Sequence, residues 1–180
     1  KSFFASCECI ARGLDPFKFP LVVANPNQGG GAITLAVTPY LKKQGVKSRG
    51  RIYEIPQHIK YKIVPPRMSY YIKMSEAVTD VYLDFVAKED LHVYSIDECF
   101  LDVTDYLKMY KMTDRELAKK ILDEVTRRTG LTANCGIGPN ILLAKIAMDV
   151  EAKLYKDGIA KWTYEDVPNK LWTISPLSKM

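Results

Sequence analysis

The pattern between residues 67 and 147 constrains the fold most, because helical and strand periods alternate there in a fixed order. Apolar residues from Met68 to Phe85 recur at helical spacing and predict a long amphipathic helix that ends near Ala87. Two short apolar stretches follow at 91–94 and 100–103, with a tight reversal at 95–99. This spacing predicts a helix followed by a β-hairpin.

The second half of this pattern begins with a helix start signal. Thr113 and Glu116 have the spacing of a capping box, and Gly130 is placed to end the helix that they open. A strand is predicted at 131–136, and Pro139 is a typical first residue of a further helix. Another helix is predicted to begin at Thr163.

The order of these elements predicts an α+β fold. If residues 1–6 are the end of a first strand, the order is βαββαβ, which is the ferredoxin-like arrangement of an antiparallel sheet backed by two helices. Residues 7–66 are then an inserted subdomain, with one buried strand at 20–24, a glycine-rich loop at 25–31 and a short helix that Thr38 and Pro39 begin.

Charge is distributed unevenly along the chain. Residues 42–73 include nine basic residues and a single acid, whereas residues 76–105 include nine acids and a single lysine. This partition suits a protein that binds a polyanion on one surface and cations on another, although two solvated faces would give the same pattern. A hydrophobic content of 47% argues against disorder, and no apolar run approaches the length of a membrane span. We therefore expect a soluble, intracellular protein.

The acidic block contains one pair of adjacent carboxylates, Asp97 and Glu98, at the predicted hairpin bend. Neighbouring residues of a regular strand point to opposite faces, so only a bend lets both carboxylates converge. A divalent cation removes the repulsion between two such groups, and Mg²⁺ prefers a few carboxylates with water and phosphate oxygens. From these two residues alone, an exposed polar turn is the favoured interpretation, because Asp and Glu are common in such turns.

Three segments together resemble one family. The hairpin reads Tyr94-Ser-Ile-Asp-Glu-Cys-Phe-Leu-Asp102, the amino-terminal segment reads Ser2-Phe-Phe-Ala-Ser-Cys-Glu8, and a later helix reads Cys135-Gly-Ile-Gly-Pro-Asn-Ile-Leu-Leu-Ala-Lys-Ile-Ala147. These segments are similar, in the correct order, to motifs of the Y-family (translesion) DNA polymerases. The closing residues most resemble the UmuC-like ImpB/MucB/SamB branch.

The resemblance implies template-directed DNA polymerisation of the lesion-bypass type, associated with DNA repair and the SOS response. The palm would comprise 1–6 and 67–162, the fingers 7–66, and a truncated thumb would begin at 163–180. Catalysis would use two Mg²⁺ ions, with Mn²⁺ as an alternative. Asp97 and Glu98 correspond to two of the family's three metal-binding carboxylates. The third, an aspartate, would lie just before Lys1, so we expect a trimmed chain that does not polymerise if that residue is missing.

Other site residues are implied by position in the same motifs. Phe4 corresponds to the steric gate, an aromatic ring that leaves no room for a ribose 2′-hydroxyl. The triphosphate would be bound by Lys42, Tyr40 and Lys153, and weaker contacts to DNA would come from Lys43, Arg49 and Arg51. Ser95 and Asp102 are expected to support the hairpin, and Lys145 and Asp149 to form an i,i+4 pair on a helix face.

Two other functions remain open at this point. A nucleotidyl cyclase can place paired acids on a similar hairpin, and a non-catalytic nucleic-acid-binding module can use the same fold. The expected partners are primer–template DNA, a deoxynucleoside triphosphate and, for the complete protein, a sliding clamp, with no membrane. The expected location is the bacterial cytoplasm, at the nucleoid during synthesis.

Overall fold

The computed structural model describes residues 2–174 of the chain. The chain divides into two compact units, Lys1–Ala77 and Val78–Met180. Within the described residues, no helix is both long enough and apolar enough to cross a membrane. The α+β fold class predicted from the sequence is confirmed. The assignment of 7–66 to fingers and of 163–180 to a thumb stays a prediction, and residues 175–180 lie outside the described part.

The first unit is built on a three-stranded sheet with the order β2-β1-β3, in which β1 is Leu21–Val23, β2 is Ala36–Val37 and β3 is Lys62–Val64. Strand β1 pairs antiparallel with β2 and parallel with β3. Because side chains alternate along a strand, Val22 packs in one buried cluster while Leu21 and Val23 pack in another. Both faces of this small sheet are therefore covered.

Helix α1, Phe3–Ile10, covers one of these faces. The prediction of a strand at 1–6 is wrong for the residues described there, since Phe3 begins a helix; Lys1 itself lies outside the described part. Ala5 and Cys9, four residues apart, both pack on the face that Leu21 and Val23 line. A short apolar run is compatible with a strand or a helix, and burial of this i,i+4 pair favours the helix.

Two further α-helices begin in the described part of the first unit, which also contains 3₁₀ helices at Pro26–Gly31 and Ile52–Glu54. Helix α2, Pro39–Lys43, starts after Thr38 as predicted, and Gly45 adopts a positive φ just beyond its end. Helix α3, Met68–Leu83, ends four residues earlier than the sequence pattern indicates. The boundary between the two units falls within α3.

The second unit contains the predicted hairpin. Strand β4, Leu91–Ser95, pairs antiparallel with β5, Glu98–Leu101, in a register that places Leu91 opposite Leu101 and Ser95 opposite Glu98. Only Ile96 and Asp97 form the turn, so Glu98 begins the returning strand rather than lying in the bend. The register shifts between Val93 and Ser95, just before the turn.

Helices α4, Tyr106–Tyr110, and α5, Asp114–Thr129, follow the hairpin. The capping box at Thr113 and Glu116 is present and Gly130 ends α5 in the left-handed conformation, as predicted. Leu117, Ile121 and Val125 repeat at helical spacing and bury one side of α5 in a shared apolar cluster.

The last part of the second unit differs most from expectation. Strand β6, Cys135–Ile137, is shorter than predicted and pairs in parallel with β7, Ile159–Lys161, a strand that the sequence pattern did not indicate. The predicted order of helix, strand, strand, helix and strand is found in α3, β4, β5, α5 and β6. The pairing differs, because among the described strands β6 pairs with β7 and not with the hairpin. At Thr163 the structure has only a short 3₁₀ turn and a π turn instead of a regular helix.

Helix α6, Ile141–Ile146, lies very close to β6. A β-carbon at Gly136 would fall 1.9 Å from the carbonyl oxygen of Ala144, and one at Gly138 would fall 2.5 Å from the Ala144 amide nitrogen. The two glycines therefore permit backbone-to-backbone packing of helix on strand. Beyond α6 the chain continues through a π turn, Ala147–Glu151, and a 3₁₀ turn, Ala152–Leu154.

Candidate active site

The hairpin turn of the second unit brings the two adjacent acids together. The hydroxyl of Ser95 lies 3.3 Å from Oδ1 of Asp97 and 3.5 Å from Oε2 of Glu98. A hydroxyl has a single proton, so it can donate to only one carboxylate at a time. Both carboxylates nevertheless converge on one atom, which fits the expectation that Ser95 supports this hairpin.

Glu98 also accepts a hydrogen bond from a helix that lies 47 residues further along the chain. The ammonium of Lys145 in α6 donates to Oε1 of Glu98 and forms an ion pair with Asp149 at 3.2 Å. The predicted i,i+4 pair of Lys145 and Asp149 is thus present, but the bond to Glu98 was missed. No periodicity links positions so far apart, and only the tertiary structure places α6 beside the hairpin.

The Lys145 side chain is about three-quarters buried, as is that of Glu98. Burial alone would lower the pKa of Lys145, but the bonds to Glu98 and Asp149 outweigh it and hold the pKa above its ordinary value. Lys145 is therefore a fixed positive charge at neutral pH. It neutralises one oxygen of Glu98 and leaves Asp97 exposed at the turn.

The donor set of this hairpin fits part of a magnesium site. Asp97 and Glu98 provide hard carboxylate oxygens, while Mg²⁺ takes about six oxygen ligands and commonly retains water or substrate phosphates among them. Over the stretch from residue 2 to residue 174, no cluster of three or more His, Cys, Asp or Glu side chains is positioned to hold a metal ion. Any cation bound here would complete its shell with water and phosphate rather than with further side chains of the described residues.

In the first unit, Phe4 lies on the ring of Tyr71. The two ring centroids are 4.5 Å apart and the planes differ by 13°, which is a stacked arrangement. Phe4 is half-buried against the apolar cluster that covers one face of the small sheet, and Tyr71 is fully buried. The predicted gate residue is thus held from one side by another aromatic ring, a contact that the sequence did not indicate.

The hydroxyl of Tyr71 donates to a buried carboxylate. Glu8 is fully buried and accepts from Tyr71 at 2.9 Å and from Arg67 at 2.8 and 2.9 Å, while Arg12 bonds the same carboxylate. Burial raises the pKa of Glu8, but the bonds from Arg67, Arg12 and Tyr71 outweigh it and keep the pKa below its ordinary value. The carboxylate is therefore ionised at neutral pH, and we name these four residues the Glu8 cage.

The Glu8 cage gives a prediction for acid stability. Replacing Glu8 with Gln should lower the free energy of unfolding by about 2–4 kcal/mol at neutral pH, because it breaks a buried ionic network. Since the folded-state pKa of Glu8 is lowered, its contribution is complete above the unfolded-state pKa near 4.5 and is lost as pH falls through the lower folded-state value.

Urea unfolding of wild type and Glu8→Gln at neutral and acid pH measures this difference. The gap between the two proteins should narrow as the pH is lowered below about 4.5. Glu76→Gln, at an exposed carboxylate of the same unit, is the matched control and should match wild type at every pH. A gap for Glu8→Gln that stays constant into acid would contradict the ionised cage.

The predicted triphosphate-binding and DNA-binding residues lie in different elements. Helix α2 carries Tyr40, half-buried against the apolar cluster around Val22, together with the exposed Lys42 and Lys43 in its last turn. Lys153 is exposed in the 3₁₀ turn after α6, in the second unit.

The two arginines of the basic block have local contacts. Arg51 donates to the carbonyl of Gly31 at 2.6 Å, which gives its guanidinium a role in holding the glycine-rich segment. Arg49 adopts a positive φ and donates its backbone N–H to the carbonyl of Thr34 at 2.7 Å. Both side chains belong to exposed residues, so a contact with phosphate stays a prediction for each.

Comparison with known proteins identifies one family. The family model described as impB/mucB/samB matches residues 1–149. UvrX of Bacillus subtilis (strain 168), named as a UV-damage repair protein, is 44% identical over 100% of this chain and 42% of the relative. DNA polymerase IV 2 of the same organism is 35% identical over 100% of this chain and 43% of the relative.

The solved structures give the same result for the fold. A structure described as an insertion ternary complex of Dbh DNA polymerase has a TM-score of 0.76 and 28% sequence identity, and the match covers 94% of this chain and 48% of that one. The chain thus spans less than half the length of each of these three proteins.

Proposed function

The chain belongs to the impB/mucB/samB family, and its resemblance to the Y-family DNA polymerases is confirmed. On that premise we propose that the complete protein is a lesion-bypass DNA polymerase. The observation that carries the proposal is the convergence of Asp97 and Glu98 on the hydroxyl of Ser95. Two-metal nucleotidyl transfer needs protein ligands that hold the cations beside the attacking and leaving oxygens, and paired carboxylates can supply such ligands.

In the proposed reaction, the primer 3′-hydroxyl loses its proton and attacks the α-phosphorus of a deoxynucleoside triphosphate, and pyrophosphate leaves. Asp97 and Glu98 would hold Mg²⁺, or Mn²⁺ in its place, which when bound offsets the charge that develops on the attacking and leaving oxygens. Lys145 bonds Oε1 of Glu98 while Oε2 faces the hydroxyl of Ser95, so the two contacts would hold this carboxylate in place. The described residues supply two carboxylates to this proposal.

The basic residues have separate roles in the proposal. The triphosphate would be bound by Lys42, Tyr40 and Lys153. The two ammonium groups would offset the negative charge of the phosphates, and the tyrosine hydroxyl would donate a hydrogen bond to a phosphate oxygen. Lys43, Arg49 and Arg51 would contact the DNA backbone. The concentration of nine basic residues within 42–73 supports a polyanion partner for this part of the chain.

Lesion bypass follows from the small size of the first unit. Its sheet has strands of only three, two and three residues, and most residues of 25–35, which include a 3₁₀ helix at Pro26–Gly31, are exposed. Few contacts to the nascent base pair predict tolerance of damaged bases and low fidelity. The naming of UvrX as a UV-damage repair protein supports the same assignment. We also propose action at the nucleoid in the cytoplasm and a sliding clamp as a partner of the complete protein.

Primer extension by the complete protein tests the proposed function. With Mg²⁺ and all four deoxynucleotides, we expect extension past an intact template base and past a UV photoproduct, loss of extension on chelation by EDTA, and recovery when Mg²⁺ is restored. A nucleotidyl cyclase would instead release pyrophosphate without primer or template. A binding module would retain DNA without extending it, and either result would overturn the proposal.

A further inference from the structure

The Glu8 cage has no part in the reaction proposed above. Glu8 is a fully buried carboxylate, and burying an ionised group is unfavourable unless its lone pairs are satisfied. Here Oε1 accepts hydrogen bonds from Arg67 and Tyr71, and Oε2 accepts them from Arg67 and Arg12. Arg67 and Arg12 reach the surface at 44% and 28% side-chain exposure, so the cations are partly solvated while the carboxylate is not.

A continuous set of contacts leads from this carboxylate to Phe4. Glu8 fixes the phenol oxygen of Tyr71 at 2.9 Å, and the face of the Tyr71 ring lies against Phe4 with the centroids 4.5 Å apart. Tyr71 is fully buried and α3 holds its backbone. Because its backbone and its hydroxyl are both held, the Tyr71 ring is fixed in one orientation. Stacking on Tyr71 then fixes the plane of the Phe4 ring.

The neighbouring aromatic residues do not share this arrangement. Phe3 is tilted by 54° from Phe4 at 5.9 Å, and Tyr70 is tilted by 57° from Tyr71 at 6.3 Å. Tyr70 packs beneath the Arg67 guanidinium at 4.6 Å, and no bond from its hydroxyl to Glu8 is present. Among these four aromatic residues, only Phe4 and Tyr71 form a near-parallel stack.

We propose that Glu8 is a positioning residue for sugar selectivity, which it exerts through the hydroxyl of Tyr71 and the plane of Phe4. The inference rests on the proposed function, in which Phe4 excludes the 2′-hydroxyl of a ribonucleotide. A ring excludes one oxygen atom only if it cannot tilt or slide by about an ångström, and a hydrogen bond to a charged acceptor restricts such motion. Arg67 and Arg12 act one step further back, by keeping the carboxylate ionised and fixed.

The measurement is the ratio of kcat/KM for a deoxynucleotide to that for the matching ribonucleotide, obtained by single-nucleotide primer extension with the complete protein. Tyr71→Phe removes only the hydroxyl that Glu8 holds and preserves the stacked ring. Tyr70→Phe is the matched control, because it removes a hydroxyl from the adjacent ring and preserves the packing under Arg67. Phe4→Ala tests the gate itself, and Glu8→Gln tests the acceptor.

We expect Tyr71→Phe to lower the selectivity ratio by about fivefold. This is less than the factor of about ten or more that a hydrogen bond to a charged group represents, because the stacked ring remains and still restricts Phe4. The ratio should fall mainly because kcat/KM for the ribonucleotide rises. The ratio for Tyr70→Phe should equal that of wild type. Tyr71→Leu, which lacks the ring, should lower the ratio further, by at least about tenfold. A merely structural role would lower the use of both nucleotides together and leave the ratio unchanged.

The outcomes separate the inference from the function on which it rests. If Phe4→Ala lowers the ratio strongly while Tyr71→Phe and Glu8→Gln retain the wild-type ratio, the gate stands and the positioning role of Glu8 is overturned. If Phe4→Ala itself leaves the ratio unchanged, Phe4 is not the gate and both assignments are overturned. Because Glu8→Gln is destabilising, an unfolded Glu8→Gln sample leaves the decision to Tyr71→Phe.

Discussion

Replacement of Asp97 by Asn should reduce primer extension by at least about a thousandfold, since a bound metal supplies several kcal/mol of transition-state stabilisation and each 1.4 kcal/mol corresponds to tenfold in rate. Asp97 is the exposed carboxylate of the turn, and its Oδ1 lies 3.3 Å from the hydroxyl of Ser95. The substitution preserves size and removes charge, so the fold of the hairpin should persist while the affinity for the cation falls.

Steady-state extension of a primed template measures the effect, and DNA retention in a gel-shift assay serves as the test that the variant still binds. Asp105→Asn is the matched control, because Asp105 is an exposed aspartate beyond the hairpin in the same unit. Its extension should equal that of wild type. Retention of more than about a tenth of wild-type activity by Asp97→Asn would remove Asp97 from the proposed metal site.

Sequence reasoning was most successful where local signals specify the structure. The capping box at Thr113 and Glu116, the left-handed Gly130 and the hairpin all depend on residues within one or two turns of each other. The turn is three residues shorter than predicted, with two residues (96–97) instead of five (95–99), because Ser95 pairs directly with Glu98. Local chemistry thus predicted the strand reversal at Asp97 and Glu98, whereas their role as metal ligands is implied by the resemblance and stays a proposal.

Errors occurred where tertiary packing decides between local alternatives. The apolar residues of α1 are compatible with a strand, and the burial of Ala5 and Cys9 against β1 makes them helical. Strand β7 has only three residues, too short for its period to stand out, and it is defined by its parallel pairing with β6. In each case the deciding partner lies outside the window that a sequence pattern samples.

The parts of the candidate site that the sequence did not predict are contacts over long separations. Lys145 reaches Glu98 across 47 residues, and Arg67 and Tyr71 reach Glu8 across 59 and 63. Each side chain has an ordinary local explanation: Lys145 as a helix-face cation and Tyr71 as an apolar residue of α3. Such residues acquire their roles only when separate elements meet, which is why the positioning of both Glu98 and Phe4 could be inferred only from the structure.

Replacement of Gly136 by Ala should destabilise the second unit by about 4 kcal/mol or more, a magnitude typical of substitutions that the backbone cannot accommodate. The added β-carbon would lie 1.9 Å from the carbonyl oxygen of Ala144 and 2.6 Å from the amide nitrogen of Met148. Neither atom belongs to a side chain that could rotate away. Helix α6 would have to move off β6, and it would carry Lys145 away from Glu98.

Urea unfolding measures this loss, and the same variant reports on the site. Gly31→Ala is the matched control, because a β-carbon there meets no atom within 4 Å and Gly31 does not have a positive φ; its free energy of unfolding should change by less than about 1 kcal/mol. A Gly136→Ala protein within about 1 kcal/mol of wild type would contradict the close packing of α6 on β6. If instead stability and primer extension fall together, Gly136 and Gly138 have a packing role. They would bring α6 close enough to β6 for Lys145 to hold Glu98.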